Sequence, residues 1–130
     1  CIGFLISVIA ISFAYNNFNK VSPYYIAALL WYPAFENLFS IIRRILNKKK
    51  LSNPDSKHLH QLIYLHLSEK LGIKNKLYLN SLTGIIINLF LTISIFITFF
   101  VYAHTISLVI LILANVSIYL LLYYYLYKKY

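Results

Sequence analysis

The feature that most limits this chain is a run of 51 residues, Leu77 to Tyr127, without one formal charge. As a continuous helix at about 1.5 Å per residue it would extend roughly 75 Å, more than twice the hydrocarbon core of a bilayer. It must therefore fold back on itself. Tyr102-Ala103-His104-Thr105 is the best place for the turn, and this predicts one helix near 80–102 and another near 105–127. Water cannot be the solvent for such a pair. Of 130 residues 61% are hydrophobic and 12% charged, against about 25% charged in ordinary soluble domains, and the mean hydropathy is +0.72. A soluble cytosolic enzyme and a disordered tail are both excluded.

Two more apolar segments precede the loop. Cys1 to Asn19 carries no charge, and its apolar part, near 1–15, is slightly short for a full crossing. With no methionine in the chain, residue 1 is expected to lie inside a longer protein. The single cysteine excludes an internal disulfide. A second segment is expected over 21–42, with Pro23 suited to its first turn and Pro33 expected to kink it. The expected fold is thus all-α: a multipass transmembrane bundle of about four helices with one basic loop over 43–79, forming part of a single polytopic membrane domain.

The net charge of +9 would point to nucleic acid in a soluble protein. Here it reads first as topology, with no nucleic acid partner. Nine of the twelve basic residues lie between Arg43 and Lys76, two follow at Lys128 and Lys129, and the 16–20 turn has only Lys20. Basic loops stay in the cytoplasm, so the 43–79 loop and the C-terminus are expected inside and the two short turns outside. Tyr123, Tyr124, Tyr125 and Tyr127 then fall where an interfacial aromatic belt belongs.

In the loop, Lys48-Lys49-Lys50 suits a phospholipid headgroup layer. Asp55 is placed to cap a helix expected over about 56–71, stopped by Gly72. Leu59, Leu62, Ile63 and Leu67 recur at helical spacing and would pack on the membrane surface or on neighbouring helices. His58 and His60 would lie about 200° apart on a continuous helix, so they converge only where the backbone is extended or distorted. Zinc is poorly served by that spacing. Anion binding is the functional alternative to a structural role, because the first turn of a helix favours negative charge and Lys57, Arg43 and Arg44 stand nearby in sequence. Glu36 is costly inside a membrane segment; it is expected to bond Ser40 or another helix.

The runs Trp31-Tyr32-Pro33-Ala34-Phe35-Glu36-Asn37-Leu38-Phe39-Ser40-Ile41-Ile42-Arg43-Arg44 and Ser52-Asn53-Pro54-Asp55-Ser56-Lys57-His58-Leu59-His60-Gln61-Leu62 resemble the polyprenyl-phosphate sugar-1-phosphate transferases. That family has a Pro-x-x-Asp/Glu helix, a double basic exit, a Pro-Asp-x-x-His-x-His-His loop and two closing helices. The start, Cys1-Ile2-Gly3-Phe4-Leu5, is similar to the stretch that follows the family's Gly-Asp-x-Gly-Ser motif. The resemblance implies a C-terminal piece of a bacterial inner-membrane enzyme. Such an enzyme moves an N-acetylhexosamine 1-phosphate from a UDP-sugar to undecaprenyl phosphate with Mg2+, beginning lipid-linked cell-envelope polysaccharide. It implies that Asp55, Lys57, His58 and His60 line the nucleotide-sugar and phosphate site, with Arg43 and Arg44 close by and Glu36 near it. The family's last histidine is Gln61 here, which cannot carry imidazolium charge. The catalytic acids and magnesium ligands of the family would precede residue 1, so the chain alone is expected to be inactive. The rival reading is a non-enzymatic membrane scaffold or transporter subunit that binds anionic lipid through Lys48, Lys49 and Lys50. The sugar, the pathway and whether the protein forms a homodimer stay open.

Overall fold

The uncharged run folds as a helical hairpin in the computed structural model, which describes residues 2–46, 48, 57–72 and 75–130. Six helices follow in chain order: α1 (Ile2–Asn16), α2 (Tyr24–Leu29), α3 (Trp31–Leu46), α4 (Leu59–Leu71), α5 (Lys76–Phe100) and α6 (Thr105–Lys129). No strand occurs among the described residues. The chain is all-α. Asn75 starts α5 by accepting the N–H groups of Leu77 and Tyr78 at 3.0 and 3.4 Å. Between α5 and α6 the chain turns at 101–104, where the His104 N–H donates to the Val101 carbonyl at 2.9 Å. Inside the hairpin the Asn115 amide donates to Ser94 Oγ at 2.7 Å. The buried hydroxyls of Thr83 and Thr98 bond back to the carbonyls four residues earlier. Polar groups in an apolar medium need such partners.

α5 and α6 have 25 residues each and are long and apolar enough to cross a membrane. Their outer faces carry exposed Leu89, Phe96, Phe99, Phe100, Ile106, Leu113 and Leu121. A contiguous apolar surface of this kind suits hydrocarbon rather than water, and the chain reads as an integral membrane protein. α1 is a shorter apolar helix whose Phe13 ring meets Tyr25 of α2 at 6.1 Å.

The segment expected as one kinked helix over 21–42 is two helices. Pro33 does not bend a continuous helix; the chain breaks three residues before it, at Leu30. Proline has no N–H for the fourth carbonyl back, and its ring crowds that carbonyl. Beginning a new helix at Trp31 puts Pro33 in a first turn, where the missing donor does no harm. α3 then runs on to Leu46 and carries Arg43 and Arg44 in its last turn. The loop helix also starts later than expected, at Leu59, with His58 rather than Asp55 at the cap position; Asp55 lies outside the described residues. Gly72 stops it in a left-handed conformation, φ +60°.

α4 is a core element. Leu59, Leu62 and Ile63 are buried with Trp31 of α3 and with Tyr119, Tyr123 and Leu126 of α6. Each such aliphatic side chain contributes about 2 kcal/mol by leaving water. Tyr123 is therefore part of the core, not of an outward aromatic belt, whereas Tyr124 and Tyr125 are exposed. One end of the bundle joins the two short turns: the Ser22 N–H donates to the Tyr102 carbonyl at 3.0 Å, and Ser22 Oγ meets Thr105 Oγ1 at 2.9 Å. The other end joins the loop to the C-terminus. There Glu69 of α4 accepts the Tyr130 hydroxyl and pairs with Lys129 Nζ at 2.9 Å.

That clamp makes Glu69 a pH-dependent contact. The Tyr130 hydroxyl, and after it the Lys129 ammonium, hold the Glu69 carboxyl below its ordinary value. A folded pKa below the unfolded one contributes stability above the unfolded value and loses it as pH falls through the folded value. Amide protection in the last turn of α4, relative to the intrinsic exchange rate at each pH, is expected to stay constant from neutral pH into the ordinary carboxylate range and to fall only below it. Glu69→Gln should remove the acid step; an identical step in that variant would assign it elsewhere.

Candidate functional site

One stripe of α3 builds the site. Tyr32, Phe35, Glu36, Phe39, Ser40 and Arg43 share a helical face, and that face meets α6. Phe35 packs edge-on to Tyr119 at 5.1 Å, and Phe39 packs edge-on to Tyr123 at 4.8 Å. Within this aromatic stripe stands a single carboxylate. Its Oε1 accepts the Leu59 N–H at 3.1 Å and lies 3.0 Å from His58 Nδ1.

The first N–H groups of a helix have no partner within it, and the dipole there favours negative charge. Glu36 supplies both needs of α4 from a neighbouring helix. The Gln61 Oε1 accepts the His58 N–H at 3.1 Å, the second half of the N-terminal bonding. A carboxylate can only accept, so Nδ1 of His58 carries the proton and Nε2 is the ring's other polar atom. The Glu36 side chain is 12% exposed and that of His58 25%, so the pair is largely shielded from water. The Tyr32 and Tyr119 hydroxyls are close enough to feel the same carboxylate. Glu36 Oε2 and the Tyr119 hydroxyl are nonetheless buried without a hydrogen-bond partner among the described residues.

His58 is extended, with ψ 154°. That single non-helical residue removes the 200° separation that a continuous helix would impose. The rings of His58 and His60 stack, 5.6 Å apart and 12° from parallel. His60 is exposed and borders a cavity of about 580 Å³ between α4 and α5, with Gln61, Tyr64, Asn80, Thr83 and Ile87 among its walls.

Arg43 and Lys57 are held by a tyrosine ladder. Tyr119, Tyr123 and Tyr127 recur every fourth residue on α6 and stack at 6.2 and 5.6 Å. Arg43 donates to the Tyr123 hydroxyl at 2.7 Å and to Ser40 Oγ at 3.3 Å, with its guanidinium carbon 5.6 Å from the Tyr123 ring centre. Lys57 Nζ lies 4.4 Å from the Tyr127 ring centre, within cation–π range.

Over 73 residues the chain is 34% identical to a probable undecaprenyl-phosphate N-acetylglucosaminyl 1-phosphate transferase of Bacillus subtilis (strain 168). The chain resembles a polyprenyl-phosphate sugar-1-phosphate transferase. The match covers 55% of this chain and 20% of that protein, so the chain spans about a fifth of the relative's length. No family model matches, and no solved structure matches.

Of the residues that the resemblance singles out, Glu36, His58 and His60 form one cluster. Arg43 and Lys57 gather on the ladder beside it, and Arg44 is half-buried in the last turn of α3. Asp55 lies outside the described residues, as do Lys49 and Lys50. Sequence reasoning missed the cap made by Gln61, which it saw only as a lost histidine. It also missed the ladder, although the spacing of Tyr119, Tyr123 and Tyr127 was the available signal. No group of three or more His, Cys, Asp or Glu residues that could hold a metal occurs among the described residues. Glu36 is engaged with His58 and Leu59, and Glu69 with Lys129 and Tyr130.

Proposed function

We propose that this chain is the phosphate-holding part of a membrane enzyme that moves a sugar 1-phosphate from a UDP-sugar to undecaprenyl phosphate. In that transfer an oxygen of the lipid phosphate bonds to the sugar-bearing phosphorus, the bond between the two phosphorus groups of the UDP-sugar breaks, and UMP leaves. Magnesium and the groups that activate the acceptor would come from outside the described residues. Here the protein supplies oriented positive charge, which offsets the charge on a moving phosphoryl group. The loop and the C-terminus would face the cytoplasm of a bacterium, where nucleotide sugars are made, and the acceptor would come from the bilayer. An N-acetylhexosamine is the sugar class that this proposal carries.

The observation that carries this is the node of Glu36, His58 and the N-terminus of α4. A carboxylate at Nδ1 holds the imidazole in one orientation beside the N-terminus of α4. Stacking puts His60 beside it, so two imidazoles face a common region rather than opposite sides of a helix. In the whole enzyme, His58→Ala and His60→Ala are each expected to lower transfer by on the order of 100-fold, as judged by radiolabelled sugar phosphate entering the lipid fraction. His104→Ala, at the far turn, should leave the rate unchanged. Equal rates in all three variants would remove the loop from the reaction.

A further inference from the structure

Tyr119 is a buried polar residue that the proposed function leaves unused. It stands on α6, and rings of α3 hold its own ring: Tyr32 at 6.2 Å, Phe35 at 5.1 Å and Phe39 at 5.8 Å. Glu36 belongs to the same stripe of α3, between those residues in sequence. The packed ring leaves the hydroxyl little freedom, and it lies close enough to the carboxylate to interact with it. Yet the Tyr119 hydroxyl is buried without a hydrogen-bond partner among the described residues, and so is Glu36 Oε2. A donor and a carboxylate oxygen, both buried in one place and both unpaired, are an exception that needs a physical reason, since buried polar atoms nearly always find a partner in the protein or in water.

We infer that Tyr119 is a positioning residue for the imidazole node: its hydroxyl anchors Glu36 Oε2 through one bridging water, and this second anchor holds the carboxylate against His58. Oε1 is already engaged by the Leu59 N–H and by His58 Nδ1. A carboxylate bound at one oxygen still turns about its last bond, where the rotamer wells are broad; bound at both oxygens it does not. A bridging water is nearly as favourable as a direct hydrogen bond. Space for one is at hand, because a cavity of about 160 Å³ borders Tyr32, Leu59 and Tyr119, and a water takes up about 30 Å³. The bridge would tie α6 to the contact that α3 makes with the start of α4. This inference rests on the proposed function only for its effect on transfer; the anchor itself needs no substrate.

Tyr119→Phe keeps the ring and its packing and removes only the hydroxyl, so the sign of its effect decides. An orphan hydroxyl is a burden, and removing it would leave the protein as stable as before or more so. A hydroxyl that anchors Glu36 leaves a buried carboxylate oxygen unpaired when it goes, and the unfolding equilibrium should move about tenfold towards the unfolded chain. The second readout is one that packing alone does not move. 15N NMR of the full chain in phosphatidylcholine nanodiscs, at a pH where the ring is neutral, reads the tautomer of His58, with His58→Asn to assign its signals. The ratio of the Nδ1–H to the Nε2–H form should fall on the order of tenfold in Tyr119→Phe. An unchanged ratio would overturn the inference whatever the stability, and so would a variant at least as stable as the native chain. In the full-length protein, transfer should fall about tenfold as well. A shifted ratio with unchanged transfer would uphold the anchor and count against the imidazole node as the site of transfer.

Discussion

Glu36→Ala is expected to lower stability by about 3 kcal/mol and to release His58 in the same step. The change leaves the Leu59 N–H and the His58 Nδ1–H without their acceptor in a region largely closed to water. Each buried donor left unpaired costs about 1–3 kcal/mol. The α4 N-terminus also loses the charge that complements its dipole, worth about 0.5 kcal/mol. Glu36→Gln should cost less, since its amide oxygen can still accept one of the two donors, although the charge-assisted strength is gone. The single tryptophan, Trp31, is buried against the same core as Leu59, so its fluorescence reports unfolding there. A loss below about 0.5 kcal/mol in Glu36→Ala, the range of surface changes, would mean that the carboxylate does not hold α4. Under the proposed function the same variant should lower transfer by the full-length protein nearly as far as His58→Ala, because a freed imidazole loses its orientation.

The second large effect separates neighbours. Tyr123→Ala is expected to cost about 3–5 kcal/mol, the range for removing a large buried ring, whereas Tyr124→Ala should stay within about 0.5 kcal/mol. Tyr123 stacks between Tyr119 and Tyr127, packs on Phe39 and accepts from Arg43; Tyr124 is 61% exposed. Similar costs for the two would show an aromatic belt facing lipid instead of a ladder within the core. Unfolding followed through Trp31 reads both variants.

Some of this was legible in one dimension because the signal is local or additive. The hairpin of α5 and α6 follows from 51 residues without charge, since chain length against bilayer thickness allows no other path. Gly72 as a helix stop follows from its own backbone freedom. Glu36 as an unusual group follows from the cost of a carboxylate among apolar neighbours. The break at Leu30 was half legible. Pro33 marks a disturbance, but whether a helix bends or stops depends on whether a new first turn can be packed beside it.

The sequence by itself determined the solvent, the helical class and the loop in which positive charge gathers, because each is a sum over residues that needs no partner. Only the tertiary structure decided that Glu36 caps α4 and that His58 and His60 stack. Likewise, it alone placed Arg43 and Lys57 on consecutive tyrosines of α6. Apart from the stack of His58 on His60, those contacts join residues 22 to 80 positions apart. A hydrogen bond acts over about 3 Å, so no pattern along the chain can encode which distant donor a given acceptor will meet.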